Sequence, residues 1–252
     1  MSFIKLKEVN KRYHKHKVLE KVNLKIDEGD IFGIIGESGS GKTTLLNLIA
    51  GFIEPSSGEV VYMSKINNQE KNLHKNLHKV KKHIGFTSQH NSFYHKLTVK
   101  ENLLHFGKMY KINRRTLIDN IKALLHITQL YEHKEKIADH LSGGMQKRLD
   151  IACSLVHKPK ILVLDEPTAD LDPILQKETL RLLQEVNKQG VTVIIASHHL
   201  DSIERICNKI AIVKKGKVHS YGSLQEIRKP FMQDHFLINI HSPKNKELLI
   251  DS

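Results

Sequence analysis

Cysteines and long apolar runs are scarce in this chain of 252 residues. No stretch of about 18 consecutive apolar residues occurs, so the sequence predicts no membrane-spanning helix. Residues 1–7 lack the apolar segment of a secretory signal peptide. Two cysteines, Cys153 and Cys207, do not make a disulfide framework, and their apolar neighbours predict buried free thiols in a reducing cytoplasm.

Basic residues are in excess, with a formal net charge of +13 at pH 7. Such a charge is typical of proteins that bind nucleic acid or an anionic membrane surface. The charges are scattered rather than massed in one block, which favours solvated basic faces, and no nucleic-acid partner is expected. His74 and His78 of a short tandem repeat would share one face of a helix as a candidate metal pair, but no nearby acidic or cysteine ligand completes the set.

The segment Gly36–Thr43 fits the phosphate-loop pattern G-x-x-x-x-G-K-[ST] completely. The apolar run Ile31–Ile35 precedes it and residues 44–50 follow with helical spacing, which is the strand–loop–helix context that the pattern needs. Glycines let the N–H groups of the loop point at a phosphate, and the helix N-terminus adds partial positive charge. We expect Lys42 to reach the β- and γ-phosphates and the Thr43 hydroxyl to ligate Mg²⁺. The predicted nucleoside triphosphate site comprises Gly36, Glu37, Ser38, Gly39, Ser40, Gly41, Lys42, Thr43 and Thr44.

The remaining elements alternate as in an α/β protein. Alternating strands are predicted within residues 3–30 and at 59–63, after a turn at 55–58. From there to Pro159 the chain is polar and predicted to be helical, with a capping box at Thr98 and Glu101. The further predicted helices span residues 114–126 and 173–189, another follows Ser142–Gly144 and runs to about residue 157, and a closing hairpin is predicted around residues 215–216.

Two apolar runs, Ile161–Leu164 and Val191–Ala196, flank the predicted helix 173–189 and show no polar alternation. This pattern is typical of central parallel strands that are covered on both faces. Asp165 and Glu166 follow the first run, at the edge of the sheet where ligands bind in α/β proteins. We expect Asp165 to orient Mg²⁺ or its waters and Glu166 to polarise a water towards the γ-phosphate. A carboxylate at a helix start is the alternative for Glu166.

A second motif, Leu141–Gln146, has a serine and two glycines at a predicted helix start. This is a second phosphate-binding nest. One nucleotide does not need two nests from one chain, so the motif predicts a dimer in which each nest closes the nucleotide of the other subunit. On this motif the chain resembles the nucleotide-binding subunits of ATP-binding cassette (ABC) transporters, from about residue 3 to residue 228, with Met145 where glutamine is commonest.

The resemblance implies a fold. It is a P-loop NTPase with a mostly parallel core sheet, an N-terminal antiparallel β-subdomain and an α-helical lobe inserted at about residues 87–160. The ABC ATPase domain would span residues 1–230, and residues 231–252 would form a short tail of unknown role.

The resemblance also implies roles for single residues. Gln89 resembles the Q-loop glutamine that senses Mg²⁺ and the γ-phosphate, although an ordinary polar loop residue is the alternative. His198 resembles the switch histidine that contacts the γ-phosphate, with the neighbouring His199 a bystander. Tyr13 resembles the A-loop aromatic residue that stacks on adenine, with His14 as the fallback. The expected nucleotide contacts at the dimer seam are Ser142, Gly143, Gly144, Gln146 and, in a segment that resembles the D-loop, Asp170.

The function that the resemblance implies is hydrolysis of ATP, with Mg²⁺, to power a transporter. Two copies, or this chain and a paralogous ATPase subunit, would close head to tail around two ATP molecules at the cytoplasmic face of the cell membrane. Integral membrane subunits would dock near residues 89–94. Residues 91–103 and 147–152 resemble the drug- and polysaccharide-exporting group, so export is expected, although Cys153 departs from the arginine usual there.

Two other functions use parts of the same sequence pattern. A soluble ABC ATPase that acts in DNA repair, translation or iron–sulfur assembly is the alternative that the charge of +13 leaves open. Against it, the chain has no long heptad run and only one cassette. A kinase or GTPase with the same phosphate loop would have no use for Leu141–Gln146, and the Asn-Lys-x-Asp pattern that reads guanine is absent from the sequence.

Overall fold

The computed structural model describes residues 2–64 and 69–232 of the chain. The strands are β1 (Ser2–Tyr13), β2 (His16–Asp27), β3 (Ile31–Ile35), β4 (Ser57–Ser64), β5 (Gln69–Asn72), β6 (Ile84–Thr87), β7 (Ile161–Asp165), β8 (Thr192–Ser197), β9 (Lys209–Lys214) and β10 (Lys217–Gly222). The α-helices are α1 (Lys42–Ala50), α2 (Leu77–Val80), α3 (Val99–Met109), α4 (Arg114–Ile127), α5 (Gly143–Leu155), α6 (Pro173–Lys188), α7 (Leu200–Ile203) and α8 (Leu224–Met232). Short 3₁₀ turns cover His74–Asn76, Lys81–His83, Tyr131–His133 and Ala138–His140.

The strands form two sheets. The core sheet has the order β10-β9-β3-β8-β7-β6, in which all neighbours are parallel except the β9–β10 hairpin. The second sheet is antiparallel and has the order β2-β1-β4-β5. The predicted fold class, with a mostly parallel core sheet and an N-terminal antiparallel part, is confirmed.

Every residue of β7 and β8 is buried. On one face of the core sheet, Val163 and Ile194 belong to an apolar cluster with residues of α1 and the antiparallel sheet. On the other face, Leu164 and Ile195 belong to a cluster with α6 residues such as Leu183. Because both faces are covered by apolar side chains, these strands need no polar alternation, as the sequence indicated.

Helices α3, α4 and α5, here called the helical lobe, lie between β6 and β7 along the chain and share an apolar core of their own. The predicted capping box opens α3, since the Thr98 hydroxyl accepts from the Glu101 N–H and the Glu101 carboxylate accepts from the Thr98 N–H. Within residues 2–64 and 69–232, no helix is long and apolar enough to cross a bilayer. The predicted limits of the lobe and of the domain stay predictions, and residues 233–252 of the predicted tail lie outside the described residues.

Two strands lie in the stretch that was predicted to be helical, so that prediction was wrong for β5 and β6. Strand β5 pairs with β4, and β6 pairs with β7 at the edge of the core sheet. Strand β6 has four residues and contains Gly85, where a Cβ atom would lie 2.3 Å from the carbonyl oxygen of Ser154 in α5. Its form follows from pairing and from the close approach of α5, which no local pattern reveals. Strand β4 also begins at Ser57, so the predicted turn 55–58 is partly strand.

The histidine pair and the cysteines lie in ordinary structural surroundings. His74 is in a 3₁₀ turn and His78 in α2, so the two do not share one helix as predicted. The Nε2 atom of His74 lies 2.8 Å from the carbonyl oxygen of Ile53. In the part of the chain that the structure describes, no three His, Cys, Asp or Glu side chains gather as a metal site. Cys153 and Cys207 are both buried and free.

Candidate active site

The phosphate loop joins the end of β3 to the start of α1. Gly41, the residue before α1, has φ 106°, and Gly39 has φ 78°. Side chains with a Cβ atom rarely adopt these left-handed angles, which explains glycine at both positions. No side chain among the described residues caps α1, and its first turn contains no acidic residue. The first N–H groups of this helix are therefore available to an anion.

Gly36 allows the loop to lie directly on the β9–β10 hairpin. A Cβ atom at this position would be 2.1 Å from the carbonyl oxygen of Val213 and 2.7 Å from the Oγ atom of Ser40. The N–H of Gly216, in the turn of the hairpin, donates to the carbonyl oxygen of Ser40 at 3.0 Å. The shape of the loop is thus imposed by a neighbouring element that lies more than 170 residues later in the chain.

The ammonium group of Lys42 lies inside the curve of the phosphate loop. Its Nζ atom donates to the carbonyl oxygens of Gly36 at 2.8 Å and Glu37 at 3.2 Å. The same atom lies 3.7 Å from the Oε1 atom of Glu166. The side chain is only 7% exposed, so its charge acts over short distances in a poorly solvated place. A phosphate oxygen is an acceptor that this ammonium group can take in exchange for a loop carbonyl.

Asp165 ends β7 with a buried carboxylate. Burial raises its pKa, and a hydrogen bond with the Thr43 side chain acts in the opposite direction. Its Oδ1 atom is buried without a hydrogen-bond partner in the part of the chain that the structure describes. A buried carboxylate oxygen without a partner is costly, and oxygen atoms of carboxylate and hydroxyl groups are the ligands that Mg²⁺ prefers. The donor set of Thr43 and Asp165 therefore fits a magnesium ion.

Glu166 is fixed in an unusual backbone conformation. Its φ is 48°, which is uncommon for a residue with a side chain, and its N–H donates to the carbonyl oxygen of Ala196 in β8 at 2.9 Å. Its Oε2 atom lies 3.0 Å from Nδ1 of His198 and accepts from the His198 N–H at 3.3 Å. Strained backbone that is held by neighbouring strands is common where a side chain must point in one direction. Here that direction is towards Lys42 and His198.

Gln89 and Tyr13 lie on other elements and are both exposed. Gln89 belongs to the loop that follows β6, the strand that neighbours β7 in the sheet. Tyr13 is the last residue of β1 and is 44% exposed, with the Lys11 ammonium 5.1 Å from its ring centroid. His14, the fallback for adenine stacking, is also exposed and follows in a turn with φ 52°. An exposed aromatic face is what stacking on a base requires.

The second nest is formed at the start of α5. Ser142 caps this helix, and its hydroxyl accepts from the Met145 N–H at 3.4 Å. A Cβ atom at Gly143 would meet nothing within 4 Å, whereas at Gly144 it would lie 2.6 Å from the Leu175 side chain. The outer side of the turn is therefore open, and its inner side packs on α6.

Gln146 and Asp170 differ in how free they are to reach a ligand. The amide nitrogen of Gln146 donates to the carbonyl oxygens of Ala138 and Leu141, both at 3.3 Å, so in this structure it braces the turn before Ser142. Asp170 is exposed, with φ 60°. Lys42, Thr43, Asp165, Glu166 and His198 thus meet in one site, while Tyr13, Gln89, Asp170 and the Ser142 turn are carried by other elements.

Comparison with known proteins decides the family. A family model described as ABC transporter matches residues 19–169, which include the phosphate loop, the Ser142 turn and the Asp165–Glu166 pair. The chain belongs to the ABC transporter family.

Relatives of this ABC protein span most of its length. It is 36% identical over 226 residues to the methionine import ATP-binding protein MetN of Clostridioides difficile (strain 630), covering 89% of this chain and 70% of that protein. It is 35% identical over 218 residues to the bacitracin transport ATP-binding protein BcrA of Bacillus licheniformis, covering 86% and 68%. It also resembles the dimeric post-hydrolysis structure of the ATP-binding cassette MJ0796 bound to ADP and Pi. That comparison has a TM-score of 0.74 and 31% identity, and it covers 88% of this chain and 98% of the other. The protein is an ATP-binding subunit of an ABC transporter and an ATPase.

Two buried charged residues of this ABC ATPase, Lys147 and Asp150, were not singled out by the sequence reasoning. Both lie on α5 and are 6% and 2% exposed. Burial raises the pKa of Asp150 to about 6 and lowers the pKa of Lys147. The signal that could have found them is two charges three residues apart on a face of α5 that also carries buried apolar residues.

Proposed function

We propose that two copies of this chain, or this chain and a paralogous subunit, close head to tail around two ATP molecules. The Ser142–Gly144 turn of one chain would face the phosphate loop of the other. The observation that carries this proposal is the pair of helix starts, at α1 and α5, that both suit an anion. Gly143 leaves the outer side of the second turn open to a ligand from outside the chain.

In the proposed site each residue has a separate task. The N–H groups at the start of α1 and the Lys42 ammonium bind the β- and γ-phosphates. Thr43, Asp165 and Gln89 would hold Mg²⁺, which when bound neutralises charge on the phosphates. Glu166 accepts a hydrogen bond from the attacking water and takes its proton as the oxygen–phosphorus bond forms and ADP leaves. His198 holds the Glu166 carboxylate in place, and its side chain would contact the γ-phosphate.

The concentration dependence of hydrolysis tests the dimer. A site built from two chains should give an ATPase rate per chain that rises with protein concentration until the dimer is saturated. A rate per chain that stays constant over a hundredfold dilution, with a monomer seen by light scattering in the presence of ATP, would contradict the composite site.

We further propose that membrane subunits dock beside the Gln89 loop, at the cytoplasmic face of the membrane. A cavity of about 280 Å³ opens there. Aromatic side chains from both sides of the gap between the core sheet and the helical lobe line it, namely Phe52, Phe86, Phe106 and Tyr110. Apolar walls of this kind suit a short amphipathic segment of a partner protein.

Export by these membrane subunits is the proposed direction, supported by the likeness of residues 91–103 and 147–152 to the exporting group. The 36% identity to a methionine import protein keeps import as the second candidate. A deletion strain tests the two. Loss of resistance to a panel of peptide antibiotics that includes bacitracin, restored by the wild-type chain and not by Glu166→Gln, supports export. Loss of growth on low methionine supports import.

A further inference from the structure

Lys147 and Asp150 hold the two ends of the loop that carries Gln89. The Nζ atom of Lys147 donates to the carbonyl oxygen of Ser88 at 3.5 Å. The Oδ1 atom of Asp150 accepts from the N–H of Ser92 at 2.9 Å. Both side chains project from α5, three residues apart, so one turn of this helix grips the loop on either side of Gln89.

The loop between these two points is also closed on itself. The Ser88 hydroxyl donates to the carbonyl oxygen of His90 at 2.5 Å and lies 3.1 Å from the Ser92 hydroxyl. Gln89 and His90 stand exposed in the middle. The ends of the loop are therefore anchored while the Gln89 side chain is presented outwards.

Stability alone is a poor explanation for these two charges. Burying an ammonium group and a carboxylate costs more than burying apolar side chains of the same size, even when the charges attract each other. The Oδ2 atom of Asp150 is, in addition, buried without a hydrogen-bond partner among the described residues. A pair that is costly to bury and that contacts the backbone of one functional loop is better explained by the position it gives to that loop.

We propose that Lys147 and Asp150 are positioning residues that keep Gln89 in register with the ATP site. Helix α5 begins at Gly143, one turn before Lys147, and Ser142 caps it, so a movement of the Ser142 turn is carried along this helix to the Gln89 loop. This inference rests on the proposed function, because it gives Gln89 a role in hydrolysis and Ser142 a contact with the nucleotide of the other chain.

A double-mutant cycle tests the proposal. Asp150→Ala and Lys147→Met should each lower kcat roughly tenfold, the size expected for one lost hydrogen bond to a charged group, and leave the Kd for ATP unchanged. In a Gln89→Ala background, the same substitutions should cause no further loss, because the residue that they position is gone. Asp150→Asn keeps an oxygen that accepts from the Ser92 N–H and should restore most of kcat. Equal losses in both backgrounds would overturn the proposal.

A second measurement does not depend on activity. A nitroxide on a cysteine at His90 reports loop mobility, and Cys153 and Cys207 are buried from the reagent. The electron paramagnetic resonance spectrum of this label should sharpen in Asp150→Ala and in Lys147→Met. It should also sharpen in Ser92→Pro, which removes the backbone N–H that donates to Asp150. Asn120→Ala is the matched control, since it removes a buried hydrogen bond to the Val156 carbonyl at 3.0 Å without touching the loop. It should lower Tm and leave both kcat and the spectrum unchanged.

The outcomes separate this inference from the proposed function. An unchanged spectrum in all three variants would overturn the positioning role of Lys147 and Asp150, even where the wild-type chain hydrolyses ATP as a dimer. A wild-type rate per chain that is independent of protein concentration would instead remove the dimer on which the inference rests.

Discussion

The Nδ1 atom of His198 lies 3.0 Å from the Oε2 atom of Glu166, and the His198 N–H donates to the same oxygen at 3.3 Å. Glu166 follows the end of β7 and His198 follows the end of β8, and these two strands are neighbours in the sheet. The Glu166 side chain is therefore held by the residue at the end of the neighbouring strand. The Glu166 carboxylate is 10% exposed and also faces the Lys42 ammonium at 3.7 Å. Its direction is therefore set by contacts within the chain.

Glu166→Gln should abolish turnover and leave ATP binding intact. The amide keeps the shape of the side chain and cannot take a proton from water. With ATP bound and not hydrolysed, the variant should accumulate as a stable dimer, which size-exclusion chromatography with light scattering detects. Glu185→Gln, at an exposed position of α6 where the carboxylate pairs with the exposed Lys188, is a control that should hydrolyse ATP normally. Near wild-type turnover by the Glu166 variant would show that another group activates the water.

Lys42→Ala should weaken ATP binding itself. Loss of a charge-assisted contact to phosphate is expected to cost about 1.5–3 kcal/mol, or roughly 10- to 150-fold in Kd. Isothermal titration calorimetry measures the change, with Lys122→Ala, an exposed lysine of α4, as the control. An affinity equal to that of the wild-type chain would argue against the assigned phosphate loop.

A cysteine crosslink should join two chains only when ATP is present. One cysteine replaces Ser142 and the other replaces a serine of the phosphate loop. Ser38 is chosen for the loop because it is exposed, whereas Ser40 is only 6% exposed. Mixing Ser38→Cys chains with Ser142→Cys chains should give a crosslinked heterodimer with ATP, and each variant alone should not crosslink. A crosslink that forms equally well without nucleotide would contradict closure around ATP.

Mixing chains that carry different inactivating substitutions is a second test of the proposed dimer interface. Lys42→Ala and Ser142→Arg homodimers should both be inactive, since each carries its lesion at both sites. In the mixed dimer both lesions meet at one site, and the other site keeps Lys42 and Ser142 intact. Recovery of ATPase activity on mixing is expected if one intact site suffices. In a chain that carries both Ser38→Cys and Ser142→Cys, a crosslink formed within that single chain would rule out the head-to-tail arrangement.

The stability of Asp150→Asn relative to the wild-type chain should depend on pH. Burial raises the pKa of Asp150 to about 6 from its ordinary value of 3.8, although the Ser92 N–H and Lys147 act against this. The folded state therefore binds this proton more tightly than the unfolded state, so the stability that the protonated group contributes is lost as the pH rises from about 4 to about 6 and stays lost above pH 6. The free energy of unfolding of the variant should exceed that of the wild type at pH 8 by about 2–3 kcal/mol.

This advantage should shrink as the pH falls through 6 and vanish below about 4, where Asp150 is protonated in both states. Urea unfolding at pH 8, 6 and 5 measures the difference. Asp119→Asn, which makes the same substitution at an exposed position of α4, is the matched control. A difference that is constant between pH 8 and 5 would mean that Asp150 does not titrate as its burial implies.

Local sequence determined the parts of this protein whose form depends on near neighbours in the chain. The phosphate loop was predictable because Gly39 and Gly41 need left-handed angles and Lys42 follows them. The Thr98–Glu101 capping box was predictable because each of these two residues, three positions apart, accepts a hydrogen bond from the backbone N–H of the other. The central strands β7 and β8 were predictable because burial on both faces leaves a continuous apolar run.

Tertiary structure alone decided what depends on residues that are distant in sequence. Strand β6 has four residues and no clear period, and it becomes a strand because β7 pairs with it and α5 approaches Gly85. Two distances, from His198 to Glu166 and from Asp150 to Ser92, link residues 32 and 58 positions apart. A hydrogen bond of this kind leaves no periodic trace in the sequence, because its geometry is set by how sheets and helices pack and not by the local preferences of either residue.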